Sequence, residues 1–121
     1  MHRASLDVAG AGVYEEECLV KLSEQRRKQF FRRQGDGYVV SPDIRQMIVF
    51  VPHNIIRDAP FTRLDLVICR NLLIYLQPVA QEKAISLFHF GLRAGGFMFL
   101  GPSESPAELQ PEFETIDERW K

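Results

Sequence analysis

An α/β class is what this 121-residue sequence predicts, and three observations lead there. Residues 48–52 (IVFVP), 64–69 (LDLVIC) and 97–101 (FMFLG) are short, nearly continuous apolar runs, rich in β-branched or aromatic residues and bounded by polar ones. Runs of that kind read as strands covered on both faces, as in parallel sheets. A helical pattern beginning at Pro78 separates the last two runs. Strand, helix, strand at this spacing is a βαβ unit with a right-handed crossover.

In chain order, residues 1–9 predict a short helix closed by Gly10 or Gly12, either of which suits a helix C-terminus. Ser23 is a good N-cap for SEQRRKQFFRR. The third residue on is Arg26 rather than glutamate or glutamine, so the capping box is incomplete. The helix is expected to end before Gly35. Gly35-Asp36-Gly37 signals a tight turn leading into a short strand, YVVS. Pro42 interrupts that strand, and 43–46 read as a turn or bridge. After the strand at 48–52, residues 57–61 form a loop and 64–69 the next strand. Pro78 takes the first helical turn, where its missing N–H costs nothing. Ala80, Ala84, Leu87, Phe88 and Gly91 then share one face. Gly95 and Gly96 are expected to stop this helix, 97–101 to form the third apolar strand, and FETIDERWK, 113–121, to add an antiparallel one.

Composition narrows the classes of function. Apolar residues make up 45% and charged residues 26%, ordinary for one globular domain. Fifteen basic and sixteen acidic residues leave a net charge of −1, so no global field favours nucleic acid. No apolar run reaches the length of a membrane span, and MHRASLD lacks the apolar core of a signal peptide. Cys18 and Cys69 form no CxxC pair. They are expected as two buried or half-buried thiols in a reducing cytoplasm.

In parallel sheets, ligands bind beyond the carboxyl ends of the strands. Three runs end in polar groups: His53-Asn54, Cys69-Arg70-Asn71 and Ser103-Glu104-Ser105. Asparagine both donates and accepts, so it can read a nucleobase edge or hold an amino-acid headgroup. Each of these residues is individually common as a cap or turn former; three such ends on one rim favour a site. Gly10-Ala11-Gly12 imitates a dinucleotide loop, but position 15 is Glu15, so the motif fails. His53 and His89 lack a second ligand at metal spacing. The basic cluster Arg26, Arg27, Lys28, Arg32 and Arg33 reads as a solvated face or as a docking patch for an acidic protein surface.

DLVICRNLLIYLQPVAQ followed by LRAGGFMFLGPSES closely resembles the CheR-like chemotaxis receptor glutamate methyltransferases. GPSES and the terminal ERWK look most like versions fused to a methylesterase. GVYEEE, QFFRRQGDGYVV and IRQMIVFVPHNIIRDAPF have counterparts in order. Ala94, where proline is usual, and Gln77, where aspartate is common, depart from the pattern. The resemblance implies a Rossmann-like sheet binding S-adenosylmethionine, with S-adenosylhomocysteine as product. The implied partner is a receptor or signalling protein carrying methylatable glutamates. Asn54-Ile55 and Asn71-Leu72 match positions that contact the cofactor. Tyr75 matches a tyrosine near the transferred methyl group, and Arg70 plays a supporting part. Residues 35–47 match a small β-subdomain that in some relatives binds a receptor-tail pentapeptide; the loop here is short for that.

The implied reaction is one displacement. A glutamate oxygen bonds to the methyl carbon as the carbon–sulfur bond breaks, and opposite charges cancel. Excluding water and aligning the partners supply most of the acceleration, orientation alone up to about 7–11 kcal/mol.

The resemblance also implies that this chain is the C-terminal portion of the domain, without its first two strands and their glycine-rich loop. Residues 48–52 and 64–69 would then lose their usual neighbours, leaving a gap on the order of 15 Å. Unpaired edges are expected to close by another pairing, by self-association or by strands borrowed from a partner. Such a chain alone is expected to be inactive, and the alternative function is a non-catalytic interaction module or a truncated gene product.

Overall fold

The computed structural model describes residues 3–106 and 111–117. They belong to two compact units, Met1–Pro52 and His53–Lys121.

The first unit runs α1 (Arg3–Ala11), β1 (Val13–Tyr14), a 3-10 turn (Glu16–Leu19), α2 (Glu24–Phe30), β2 (Phe31–Gln34), β3 (Gly37–Val40) and α3 (Pro42–Gln46). Its antiparallel sheet has the order β1-β3-β2, with Val13 opposite Val39 and Phe31 opposite Val40. Ser23 caps α2 as predicted, its hydroxyl accepting from the Arg26 N–H at 3.3 Å. The helix then stops four residues earlier than the sequence suggests, because Phe31–Gln34 pairs with β3 across a two-residue loop. Gly35, at φ 59°, supplies the positive φ that a hairpin loop this short demands. Thus the small sheet draws β1 and β2 from ahead of residue 35. Residues 43–46 are helical rather than a turn, with Pro42 in the first turn.

Residues 48–52 correct an expectation: they form no strand. Their backbone is engaged locally. Arg45 donates through Nη1 to the Ile48 carbonyl at 2.8 Å and through Nε to the Gly10 carbonyl at 2.9 Å. The Arg45 guanidinium also lies over the Phe50 ring. Val49 remains 81% exposed. A run of this composition suits a sheet interior, but a strand requires a neighbour, and 48–52 enter no ladder among the described residues.

The second unit holds the predicted βαβ element: β4 (Leu64–Cys69), a 3-10 turn (Leu73–Tyr75), α4 (Pro78–Gly91) and β5 (Leu92–Leu100), with β4 and β5 parallel. Leu66 to Cys69 face Phe97 to Leu100 in register, whereas Leu64 faces Leu92. Residues 93–96 therefore bulge between. Gly95 and Gly96 sit inside the strand instead of ending the helix, which closes at Gly91. Cys69, Leu73, Ala84, Ile85 and Leu100 form the core, with Ile55, Phe88 and Met98 packed against it. Ala84 lies on the predicted face of α4; Ile85, absent from that face, is its most buried large side chain. The other face of the sheet stays open, with Leu66, Ile68 and Phe97 half or more exposed.

Within the tail, residues 113–117 form no strand, and the rest of the expected strand, 118–121, lies outside the described residues. Cys69 is buried as expected, but Cys18 is exposed.

Candidate functional site

The carboxyl end of β4 runs into Arg70 and Asn71, and the carboxyl end of β5 into Gly101 and the turn carrying Glu104. Since the strands are parallel and in register here, their ends lie side by side. Asn71 adopts φ 57°, the left-handed region that few residues other than glycine occupy and asparagine tolerates best. This reverses the chain out of β4 and starts the 3-10 turn.

Glu104 holds that turn. Its carboxylate accepts four backbone N–H groups: Asn71 to Oε2 at 3.0 Å, Leu72 to Oε1 at 2.8 Å, Leu73 to Oε1 at 2.7 Å and Gly101 to Oε2 at 2.7 Å. The residue is 4% exposed. Gly101 makes the approach possible, since a Cβ there would lie 2.6 Å from Oε2 and 3.1 Å from Asn71 Oδ1. Burial pushes the Glu104 carboxyl up, but together the Gly101, Leu73, Leu72 and Asn71 N–H groups outweigh it and hold the group below its ordinary value. Burial, helped by the Glu104 charge, pushes the neighbouring Cys69 thiol up to about 11. That thiol is protonated near neutrality and is no nucleophile.

Asn54 opens a second polar turn. Its Oδ1 accepts from the N–H of Ile56 at 3.0 Å and of Arg57 at 3.2 Å. Its own N–H donates to Asp58 Oδ2 at 2.7 Å. Asp58 also approaches His53 Nδ1 at 3.8 Å, and His53 packs on the Phe61 ring at 4.5 Å between centroids. The oxygen of Asn54 is thus committed to capping, the ordinary role for asparagine.

A groove of about 370 Å³ joins the two regions. It is lined by Ile55, Arg70 and Leu72 along with His53, Phe61 and Phe88, and by Leu66 to Cys69. Consecutive β4 residues of both faces line it and no β5 residue does. It therefore follows the edge of β4 away from β5. Asn54, Asn71 and Tyr75 are not part of its wall; Asn54 and Asn71 are exposed, and Tyr75 is 80% exposed at the end of the 3-10 turn. The Arg70 guanidinium stands 5.2 Å from the centroid of the Phe99 ring, on the open face of the sheet. Of the six residues singled out from sequence, the structure brings Ile55, Arg70 and Leu72 to one groove and leaves Asn54, Asn71 and Tyr75 at the surface around it.

Sequence reasoning placed Glu104 on the polar rim but gave it no role. The available signal was a carboxylate three residues after a strand-ending glycine, where a close backbone approach is possible. Among the described residues no group of His, Cys, Asp and Glu side chains stands together as a metal site, and no helix is long and apolar enough to cross a membrane.

The model of the family described as CheR methyltransferase, SAM binding domain, matches residues 1–121. An uncharacterized 104.1 kDa protein of Rhodobacter capsulatus is 43% identical over 117 residues, 97% of this chain and 12% of that protein. A chemotaxis protein methyltransferase of Vibrio anguillarum is 35% identical over 114 residues, 92% of this chain and 42% of the relative. Another, from Listeria innocua, is 37% identical over 101 residues, 84% of this chain and 38% of the relative. The chain spans less than half the length of these curated relatives.

Proposed function

The chain belongs to the CheR methyltransferase family, SAM-binding domain, and from that premise we propose that it carries part of the cofactor site of an S-adenosylmethionine-dependent methyltransferase acting on glutamate side chains of chemotaxis-type receptors in the cytoplasm. The turn at the carboxyl end of β4 carries the reading: a left-handed Asn71 fixed by a buried carboxylate presents Asn71 and Leu72 at the strand tip, where parallel sheets bind ligands.

The residues present suit such a cofactor. The amides of Asn54 and Asn71 offer donors for an adenosine or amino-acid headgroup, and Ile55 and Leu72 an apolar wall. When bound, the cofactor supplies the methyl group. Asn54, Ile55, Asn71 and Leu72 would hold and orient it, Tyr75 would stand near the transferred methyl, and Arg70 would support the motif from its place over Phe99. None of these must move a proton, so catalysis reduces to alignment and exclusion of water. With Tyr75 largely in solvent, exclusion of water is poor in this chain alone, and the proposed domain layout is a small antiparallel sheet over residues 13–40 followed by the βαβ element over residues 64–100.

The test is transfer of labelled methyl from S-adenosylmethionine to a receptor fragment bearing glutamates. Little or no transfer is expected from this chain alone, and any transfer above background is expected to be abolished by Asn71→Ala. Transfer indifferent to Asn71→Ala and Tyr75→Phe contradicts the assignment.

One observation favours a second reading, an interaction module. The β4 edge has no partner strand among the described residues, and Leu66, Ile68 and Phe97 expose apolar surface beside it. On this reading two copies associate through that edge.

A further inference from the structure

We propose that Glu104 is the positioning residue of this site: by gathering the N–H groups of residues 71–73 on one carboxylate, it fixes Asn71 and Leu72 in the conformation that receives the cofactor. This rests on the reading of Asn71 and Leu72 as cofactor-binding.

The geometry is unusual for a buried carboxylate. Its four hydrogen bonds all run to backbone N–H groups, three of them consecutive and one from the end of the neighbouring strand. No salt bridge involves it among the described residues. A carboxylate bonded only to main chain sets backbone geometry. Here the geometry set is a left-handed residue followed by a one-turn 3-10 segment, neither of which a chain holds readily by itself. Leu73, between the exposed Leu72 and Tyr75, is 2% exposed and packs in the core, so the clamp ties the surface residues to the packed interior. Gly101 belongs to the same device, because any side chain there would displace Oε2. The groups bonded to the carboxylate are these four N–H groups.

A positioning role differs from plain stabilisation in what it disturbs. The measurement compares Glu104→Gln, which replaces an acceptor oxygen by a donor, and Gly101→Ala, which moves the carboxylate without removing its charge, against Ile85→Val, a core change that removes none of these hydrogen bonds. Titration calorimetry with S-adenosylhomocysteine reads affinity, and amide hydrogen exchange reads residues 71–73 and 101. Both clamp variants are expected to weaken binding tenfold or more and to speed exchange at those amides at least tenfold, while Ile85→Val changes affinity less than twofold. Glu104→Asp is expected to recover part of the loss. Clamp variants that bind within twofold of the unaltered chain overturn the positioning role alone. An Ile85→Val loss equal to theirs reduces Glu104 to a stabiliser and also overturns it. No heat from the unaltered chain overturns the cofactor reading, and the inference built on it falls too.

Discussion

At Asn71 the roles of backbone and side chain can be tested apart. Its φ of 57° suits glycine at least as well as asparagine. Asn71→Gly is therefore expected to leave stability within about 1 kcal/mol yet to weaken S-adenosylhomocysteine binding, whereas Asn71→Val forces a β-branched residue into the left-handed region and is expected to cost about 1–3 kcal/mol. Thermal melts alongside calorimetry check both. Glu104 gives a pH prediction with a definite sign. Its folded-state value lies below the ordinary carboxylate value, so its contribution is fully present above the unfolded pKa, about 4.3, and is lost as pH falls through the folded value. Denaturant midpoints for the unaltered chain are expected to drop below about pH 4, and the drop to shrink in Glu104→Gln. A side chain that earns its place by holding backbone atoms leaves little trace in residue type. Asn71 was recognisable from its motif, but Glu104 looked like one more polar residue after a strand, because its partners are main-chain groups that every sequence carries.

At the scale of elements, β4, α4 and β5 were readable because each is long enough for its pattern to show. Six apolar-biased residues, a proline at the first helical turn and a helical repeat leave few alternatives, and the parallel pairing follows from them. The boundaries were less readable. The glycine pair at 95–96 looks like a helix stop, but the chain leaves the helix at Gly91 and absorbs residues 93–96 as a bulge. Arg32 and Arg33 continue a helical propensity that the hairpin overrides by pairing with Val39 and Tyr38. The run at 48–52 carries the right composition for a strand and has no ladder partner among the described residues, which no local pattern records. Ile85, 1% exposed, now marks the packing centre of α4. Ile85→Ala is expected to destabilise by about 2–5 kcal/mol, read from the denaturant midpoint at unchanged m-value. Alanine at Ile74, half exposed on the 3-10 turn, is expected to cost far less.

For the whole molecule, the β4 edge, unpaired among the described residues, and the apolar face carrying Leu66, Ile68 and Phe97 predict concentration-dependent association. Sedimentation velocity over a hundredfold range of concentration is expected to show it, and Ile68→Lys, on the exposed face, to suppress it with little loss of stability. A sharp monomer boundary throughout contradicts the idea. The family was visible in the sequence from the CRNLLIY and GPSES elements, and the match along the full chain agrees. The central claim is narrower: the turns at Asn54 and Asn71 form a wall for a sulfonium cofactor. Titrating S-adenosylhomocysteine into isotopically labelled chain and following the amide resonances tests it most directly. Saturable shifts concentrated at residues 54–55 and 70–73 are the predicted result, and saturation without movement there, or no movement at millimolar ligand, contradicts it.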